Sequence, residues 1–267
     1  MNLLQRVWQS SLGKKYLMAL TGAALFLFVV GHMMGNLQVF LGPQAINRYG
    51  HFLKTTPEIL WPARIGLLAC VGLHMIVAVA LVAQNRAARP VAYAKVRAHG
   101  ATAASRTMIW SGLIILTFVI YHLLHYTLTL PSVNGYGLDF STLRDEEGRH
   151  DIFAMIVMGF QKWPVSLFYF VAVGLLCTHL GHGIGSMFQS LGLKNNVWGP
   201  RIAGFARAAS VLLFLGYASI PAAVLGGFGG GHLEEMRRVA QQRDSAAPPD
   251  QNRMVPIGVT NAAGKEK

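Results

Sequence analysis

The chain has 267 residues, of which 53% are hydrophobic and only 13% are charged, and its mean hydropathy is +0.41. Ordinary soluble domains carry about 25% charged residues, so this composition indicates a membrane protein. The formal net charge of +12 does not indicate nucleic-acid binding, because the basic residues cluster between apolar stretches, where they orient a membrane protein.

Five apolar stretches are long enough for transmembrane helices, which need about 20 residues to cross the hydrocarbon core. We predict an all-α membrane protein with spans at about 16–41, 61–83, 108–130, 163–191 and 202–228 and a polar C-terminal tail over 231–267. The connection before the fourth span contains an apolar segment, 152–160, for which we expect a short interfacial helix. We expect the tail to be a loosely ordered extension, because it has few apolar residues.

The basic residues predict that the N-terminus is cytoplasmic. Eleven Lys and Arg residues flank the spans on the side of the N-terminus, against six in the two connections on the opposite side. The positive-inside rule places the richer side in the cytoplasm. We expect no cleaved targeting segment, and we interpret Cys70 and Cys177 as small core hydrophobes because both lie in apolar runs without a CxxC motif.

Six histidines lie inside the predicted spans: His32, His74, His122, His125, His179 and His182. An ionisable side chain at membrane depth is costly, so each histidine needs a partner or a function. The first four spans each carry at least one of them and the fifth carries none. This distribution favours a shared role over separate helix-to-helix hydrogen bonds.

Depth along the spans sorts four of these histidines into two pairs. Counted from the cytoplasmic end, His32 lies about 24 Å up the first span and His122 about 21 Å up the third. His74 and His179, on spans that run the other way, lie roughly 20 to 24 Å below the outer face. Two imidazoles from two helices at one depth suit a six-coordinate haem. The sequence therefore predicts an outer and an inner haem within the first four spans, of b type because no CxxCH motif occurs.

His125 and His182 compete for the ligand positions, since each follows a predicted ligand by three residues. Each lies about 4 to 5 Å nearer a membrane surface, where a histidine would instead bond a haem propionate or a quinone oxygen. Small residues beside the histidines would let a porphyrin lie against helix backbone, although close helix packing explains them equally well. They are Gly22, Gly31, Gly35, Gly72, Gly181, Gly183 and Gly185.

Several stretches in combination resemble the single-chain dihaem cytochrome b subunit, of the cytochrome b558 family, of bacterial succinate:quinone oxidoreductases and fumarate reductases. They are residues 10–15, Thr21-Gly22 before His32, residues 31–36, 121–125, 151–161, 178–183 and 186–192, and the likeness covers residues 10–228. In that family one histidine on each of the first four spans ligates haem. The resemblance assigns this role to His32, His74, His122 and His179.

The resemblance further implies a complex in the bacterial cytoplasmic (inner) membrane. A cytoplasmic flavoprotein with FAD would oxidise succinate or reduce fumarate, and an iron-sulfur protein would lie between it and the membrane. This chain would pass electrons through two b haems to or from a quinone, menaquinone, and the complex could form a higher oligomer. Some family members use a glutamate in span four for proton transfer, whereas Cys177 lies two residues before His179 here and no predicted span contains a carboxylate.

Polar side chains near the span ends are candidates for binding a quinone or a haem propionate, because a quinone needs hydrogen-bond donors at its carbonyls. On the outer side they are His51, Lys54, Glu58 and Arg64, and on the inner side Trp8, Ser10, Ser11, Lys14 and Lys15. Interfacial anchoring and topology charge explain the same residues. For Lys14 and Lys15 we favour orientation of the first span.

Two other functions fit parts of the pattern. One is the dihaem cytochrome b of a hydrogenase or formate dehydrogenase. Those proteins usually distribute their histidines over a different set of helices, sometimes with two on one helix. The other is a transporter or channel whose histidines line a proton or metal path and bind no haem. The pairing in two layers favours the succinate or fumarate complex, and no inverted repeat or broken helix pair supports a transporter.

Overall fold

The computed structural model describes residues 2–88 and 103–246. Its long helices are α2 (Ser11–Leu37, extended by a 3-10 turn to Leu41), α4 (Pro57–Ala87), α5 (Ala103–His122, continued by a π-helical segment, Leu123–Thr127), α7 (Trp163–Ser190) and α8 (Trp198–Leu225). All five are long and apolar enough to cross a membrane. The predicted all-α fold with five spans is thus confirmed, although α4 begins at Pro57 and therefore includes Glu58.

Within the described ranges, shorter α-helices lie at the two ends of the bundle. α1 (Leu3–Gln9) packs at the start of α2 and marks what we term the α1 end. α3 (Pro43–Thr55), α6 (Ile152–Gln161) and α9 (Gly230–Ala246) mark the opposite, α6 end. Part of the basis of two predictions lies outside the described residues: Arg89, Lys95 and Arg97, which are among the eleven basic residues counted on the side of the N-terminus, and residues 247–267 of the predicted tail.

The first four spanning helices form a ring. α2 packs against α4 and α7, and α5 also packs against α4 and α7. Consequently α2 faces α5 across the bundle, and α4 faces α7. α8 lies outside this ring, where it packs along α7 and against α2.

The predicted short helix is present as α6, but it is not interfacial, because every residue from Phe153 to Phe160 is buried. α3, α7, α8 and α9 contact it, and Gly159 allows the Tyr126 hydroxyl to approach so closely that any Cβ would overlap it. The physical reason lies in its sequence. A helix that is apolar at nearly every position has no polar face to present to the headgroup layer, so it packs into the protein core.

The described part of the C-terminal tail also differs from the expected loose extension, because α9 is helical and attached to the bundle. Leu233 is buried, and His232 Nε2 donates to the Asp151 carboxylate at 2.9 Å. Asp151 is the fully buried N-cap of α6 and also accepts from the Ala154 N–H and the Asn47 amide. His232 and Asp151 are 81 positions apart in the sequence. An ion pair between such distant residues leaves no signal in the local composition, on which the prediction of a loosely ordered tail was based.

This contact at the α6 end perturbs the pKa of both partners. Burial alone would raise the pKa of the Asp151 carboxyl, but hydrogen bonds from His232, the Ala154 N–H and Asn47 outweigh it and hold the pKa below its usual value. The hydrogen bond to Asp151 raises the pKa of His232, against a smaller opposing effect of burial. Charged Asp151 and charged His232 therefore stabilise each other.

Candidate functional site

His74 on α4 and His179 on α7, the pair predicted to share the inner layer, each contact a hydroxyl on a neighbouring helix. His74 Nδ1 lies 2.9 Å from Thr21 Oγ1 of α2. His179 Nδ1 lies 3.0 Å from Ser111 Oγ of α5. The structure therefore places both histidines of the predicted inner pair on facing helices of the ring, each in contact with a hydroxyl of a flanking helix.

The hydroxyl contacts indicate which nitrogen of each ring is protonated. The Thr21 hydroxyl also lies 2.7 Å from the Leu17 carbonyl, and the Ser111 hydroxyl lies 3.0 Å from the Met108 carbonyl. A hydroxyl that donates its single proton to the carbonyl accepts from Nδ1–H of the histidine. In this arrangement the proton is on Nδ1 and Nε2 carries a free lone pair. That is the tautomer in which an imidazole binds a metal through Nε2.

A glycine follows each of these hydroxyl residues and faces the same ring. A Cβ on Gly22 would lie 3.5 Å from Cε1 of His74, and one on Gly112 would lie 3.7 Å from Cε1 of His179. A methyl group there would be in ordinary van der Waals contact with the ring, and any longer side chain would occupy the space beside the imidazole. The two glycines thus keep a flat backbone surface next to each ring, as a planar group there requires.

His32 on α2 and His122 on α5, the predicted outer pair, face each other across the bundle. Their ring centroids are 5.7 Å apart and the ring planes are nearly perpendicular, at 86°. Two imidazoles on opposite sides of one metal, with metal–nitrogen bonds of about 2.0 Å, place their centroids about 6 Å apart. The pair is therefore spaced for axial coordination. His122 Nδ1 lies 3.3 Å from the Tyr169 hydroxyl, which leaves its Nε2 for a ligand.

The two layers are separated by the same distance on both α2 and α5. His32 follows Thr21 by eleven positions, and His122 follows Ser111 by eleven positions, which is about 16 Å along a helix axis. Both helices thus carry a hydroxyl residue, a glycine, nine further residues and a histidine. Ser111 and Gly112 were not among the residues predicted from the sequence. This repeated spacing is the signal that would have identified them.

The competing histidines are engaged elsewhere. His125 is fully buried, its ring stacks on Tyr126 at 4.0 Å, and its Nδ1 lies 3.3 Å from the Tyr169 hydroxyl. Its Nε2 is buried and has no hydrogen-bond partner in the described chain. His182 uses Nε2 for a 3.2 Å contact with Ser186 one turn along its own helix.

At the α1 end the candidate residues have structural partners of their own. The Ser10 hydroxyl caps α2 by accepting from the Gly13 N–H at 3.2 Å. Lys14 is buried, and its ammonium lies 5.5 Å from the centre of the Trp8 ring. Ser11 and Lys15 are exposed.

At the α6 end Lys54 Nζ lies 2.9 Å from His150 Nδ1, and Arg64 stacks on the Trp61 ring at 5.4 Å. Burial together with the positive charges of Arg144 and Arg64 lowers the pKa of Lys54. His51 and Glu58 are exposed. Within the described ranges, no hydrogen bond or ring contact joins the candidates at either end to the four paired histidines.

In residues 2–88 and 103–246 no three His, Cys, Asp or Glu side chains are close enough to hold a metal ion by themselves. Two pairs of histidines with free Nε2 atoms suit an iron whose other four ligands belong to a porphyrin. The residues present thus fit a bis-imidazole haem in each layer. No protein-family model, curated protein or solved structure matches the chain.

Proposed function

We propose that the chain is a dihaem cytochrome b, the membrane-anchor and electron-transfer subunit of a succinate dehydrogenase or fumarate reductase complex. The observation that supports this most directly is the pairing of four histidines, each pair on helices that face each other across the bundle. In three of the four rings Nδ1 contacts a hydroxyl, of Thr21, Ser111 or Tyr169. A transporter has no need of two imidazoles held at the spacing of axial ligands.

His32 and His122 would hold one haem toward the α6 end, and His74 and His179 would hold the other toward the α1 end. A b haem between two imidazoles supplies reversible one-electron transfer. The chain's own contribution is to orient three of the four ligand rings through their Nδ1 contacts and to keep both sites in the apolar interior. With about 16 Å between the layers along the helices, the two sites form successive positions on a path through the membrane.

The orientation and the partners follow from the basic residues and from the family resemblance. The α1 end would face the cytoplasm, where Arg6, Lys14, Lys15, Lys194 and Arg201 lie. An iron-sulfur subunit would dock there and receive electrons from, or pass them to, a flavoprotein with FAD. A membrane quinone, menaquinone by the resemblance, would exchange electrons with the haems in the bacterial cytoplasmic membrane.

The ligand assignment is tested by removing one histidine at a time from the purified chain. We expect His32→Ala and His122→Ala each to abolish one haem, and His74→Ala and His179→Ala each to abolish the other. The two haems are distinguished by their absorption and electron paramagnetic resonance (EPR) signals. If His32→Ala and His74→Ala abolish the same haem, the pairing is wrong.

The choice of complex is tested in native membranes. Succinate should reduce the b haems of this chain, and fumarate should reoxidise them, whereas hydrogen and formate should leave their absorption unchanged. Reduction by hydrogen or formate instead would support the alternative dihaem cytochrome. A chain that contains no haem would support the transporter.

A further inference from the structure

The Tyr169 hydroxyl on α7 lies between two histidines of α5. Its oxygen is 3.3 Å from Nδ1 of His122 and 3.3 Å from Nδ1 of His125. The setting is enclosed, since Tyr169 is 6% exposed and His125 is fully buried. Phe118 and Tyr121 pack edge-on against the Tyr169 ring. The hydroxyl is therefore a fixed contact between the two rings.

The backbone of α5 brings both histidines to this hydroxyl. The helix changes to a π turn at Leu123–Thr127, where the Leu128 N–H bonds to the Leu123 carbonyl at 2.8 Å. A π turn inserts one extra residue and so rotates the side chains that follow it, and such turns are frequent at functional sites. Both His122, at the end of the α-helical part, and His125, inside the π turn, thereby contact the same residue of α7.

We propose that Tyr169 is a positioning residue for the haem held by His32 and His122, an inference that rests on the proposed function. A ligand His122 must bind iron through Nε2 and carry its proton on Nδ1, so it donates to the Tyr169 oxygen. Tyr169 has one proton, which it then donates to Nδ1 of His125. One hydroxyl thus fixes the tautomers of both histidines and leaves only His122 with an unprotonated Nε2 for the iron.

This chain of hydrogen bonds also explains why His125 does not take the iron. With Nδ1 accepting from Tyr169, a neutral His125 carries its proton on Nε2, and a protonated nitrogen has no lone pair for a metal. That Nε2 is buried and has no hydrogen-bond partner in the described chain. A ligand at His125 would require the hydrogen bonds to run in the opposite direction, with the proton of His122 on Nε2.

The contact with Tyr169 affects the electronic properties of the ligand as well as its orientation. An acceptor on the Nδ1–H of a ligand histidine makes the imidazole a stronger donor. A stronger donor stabilises the oxidised iron relative to the reduced iron. Removal of the hydroxyl should therefore raise the midpoint potential of this haem and leave the other haem unchanged.

The test compares Tyr169→Phe with Tyr217→Phe in the purified, haem-containing chain. Tyr217 is a matched control, because its ring lies 6.2 Å from that of His32 in the same layer but its hydroxyl donates to the Val29 carbonyl at 2.7 Å. We expect both variants to keep two haems. Tyr169→Phe should raise the potential of the haem that His122→Ala removes and shift its EPR signal. A tenfold change in the one-electron equilibrium corresponds to about 59 mV, and Tyr217→Phe should show no such shift.

Four outcomes overturn the inference. A wild-type chain without haem overturns it together with the proposed function. Two haems with an unshifted potential in Tyr169→Phe, or with equal shifts in both variants, overturn it alone. If Tyr169→Phe loses the haem, replacement of Tyr169 by 3-fluorotyrosine keeps the ring and the hydroxyl but weakens the oxygen as an acceptor. That replacement must raise the same potential, and an unchanged potential would overturn the inference.

Discussion

Removal of the hydroxyls that contact His74 and His179 should weaken one haem site selectively. The change is Thr21→Val combined with Ser111→Ala, which keeps the shape of the first side chain and shortens the second by one atom. Both histidines would then lose the acceptor at Nδ1, in a part of the bundle where little water is available to replace it. The proton could shift to Nε2, the atom that the iron needs.

The expected magnitude follows from the two contacts of 2.9 Å and 3.0 Å. A hydrogen bond of this kind contributes a net of about 0.5 to 1.5 kcal/mol, so the double variant loses about 1 to 3 kcal/mol of haem binding. Outer contacts of metal-ligating histidines typically account for about 10- to 100-fold in affinity, which agrees with that range. We therefore expect the haem held by His74 and His179 to dissociate roughly 5- to 160-fold faster.

The assay is transfer of haem from the detergent-solubilised chain to an excess of a haem-free acceptor protein, followed by absorption. Thr117→Val is the control for Thr21→Val, because Thr117 lies on α5 and its hydroxyl bonds the Leu113 carbonyl at 3.1 Å without contacting a histidine. The haem held by His32 and His122 should leave at the wild-type rate. Equal acceleration of both haems, or no acceleration of either, would refute the tautomer assignment.

Three further predictions concern single positions. His125→Ala should keep both haems, whereas His122→Ala should lose one, as measured by haem quantitation. The reverse result would show that His125 is the ligand. Gly112→Leu should displace the His179 ring, because a Cβ at this position would already lie 3.7 Å from the ring. The haem of that layer should then be lost. Gly66→Leu is the control and should keep this haem, because a Cβ on Gly66 would contact nothing within 4 Å. His232→Gln should loosen α9 by about 1 kcal/mol near pH 6, a modest value because the His232 side chain is 25% exposed. The pKa of His232 is raised and that of Asp151 is lowered. The extra stability of α9 in the wild type over His232→Gln should therefore be full below about pH 6.5 and disappear as pH rises through the raised pKa of His232. It should also be lost at acid pH, where Asp151 is protonated. Hydrogen exchange of the α9 amides measures this, and a difference that grows with rising pH would contradict it.

The spans could be predicted from the sequence because a membrane imposes a length and a composition that single stretches display. The pairing of His32 with His122 was a prediction from helix rise alone, and the structure places the two rings 5.7 Å apart. Their role as iron ligands stays a prediction. Depth can be read from the sequence because every spanning helix is measured against the same bilayer.

The contacts that orient the histidines could not be predicted in the same way. Ser111 and His179 are 68 residues apart, and Tyr169 and His122 are 47 apart, so only the packing of helices brings them together. The buried setting of α6 depends likewise on α8 and α9, which follow it in the chain. Composition gave the apolar character of α6 but not the elements that surround it.

The central claim is that four histidines hold two b haems, and the most direct test is haem quantitation on the purified chain. The measurement is a pyridine haemochrome assay combined with a reduced-minus-oxidised spectrum, normalised to the 29.1 kDa polypeptide. From the proposed function we predict two haems of b type per chain, both low-spin as expected for two imidazole ligands. A chain that is purified intact from a haem-replete membrane and contains no haem would contradict the account.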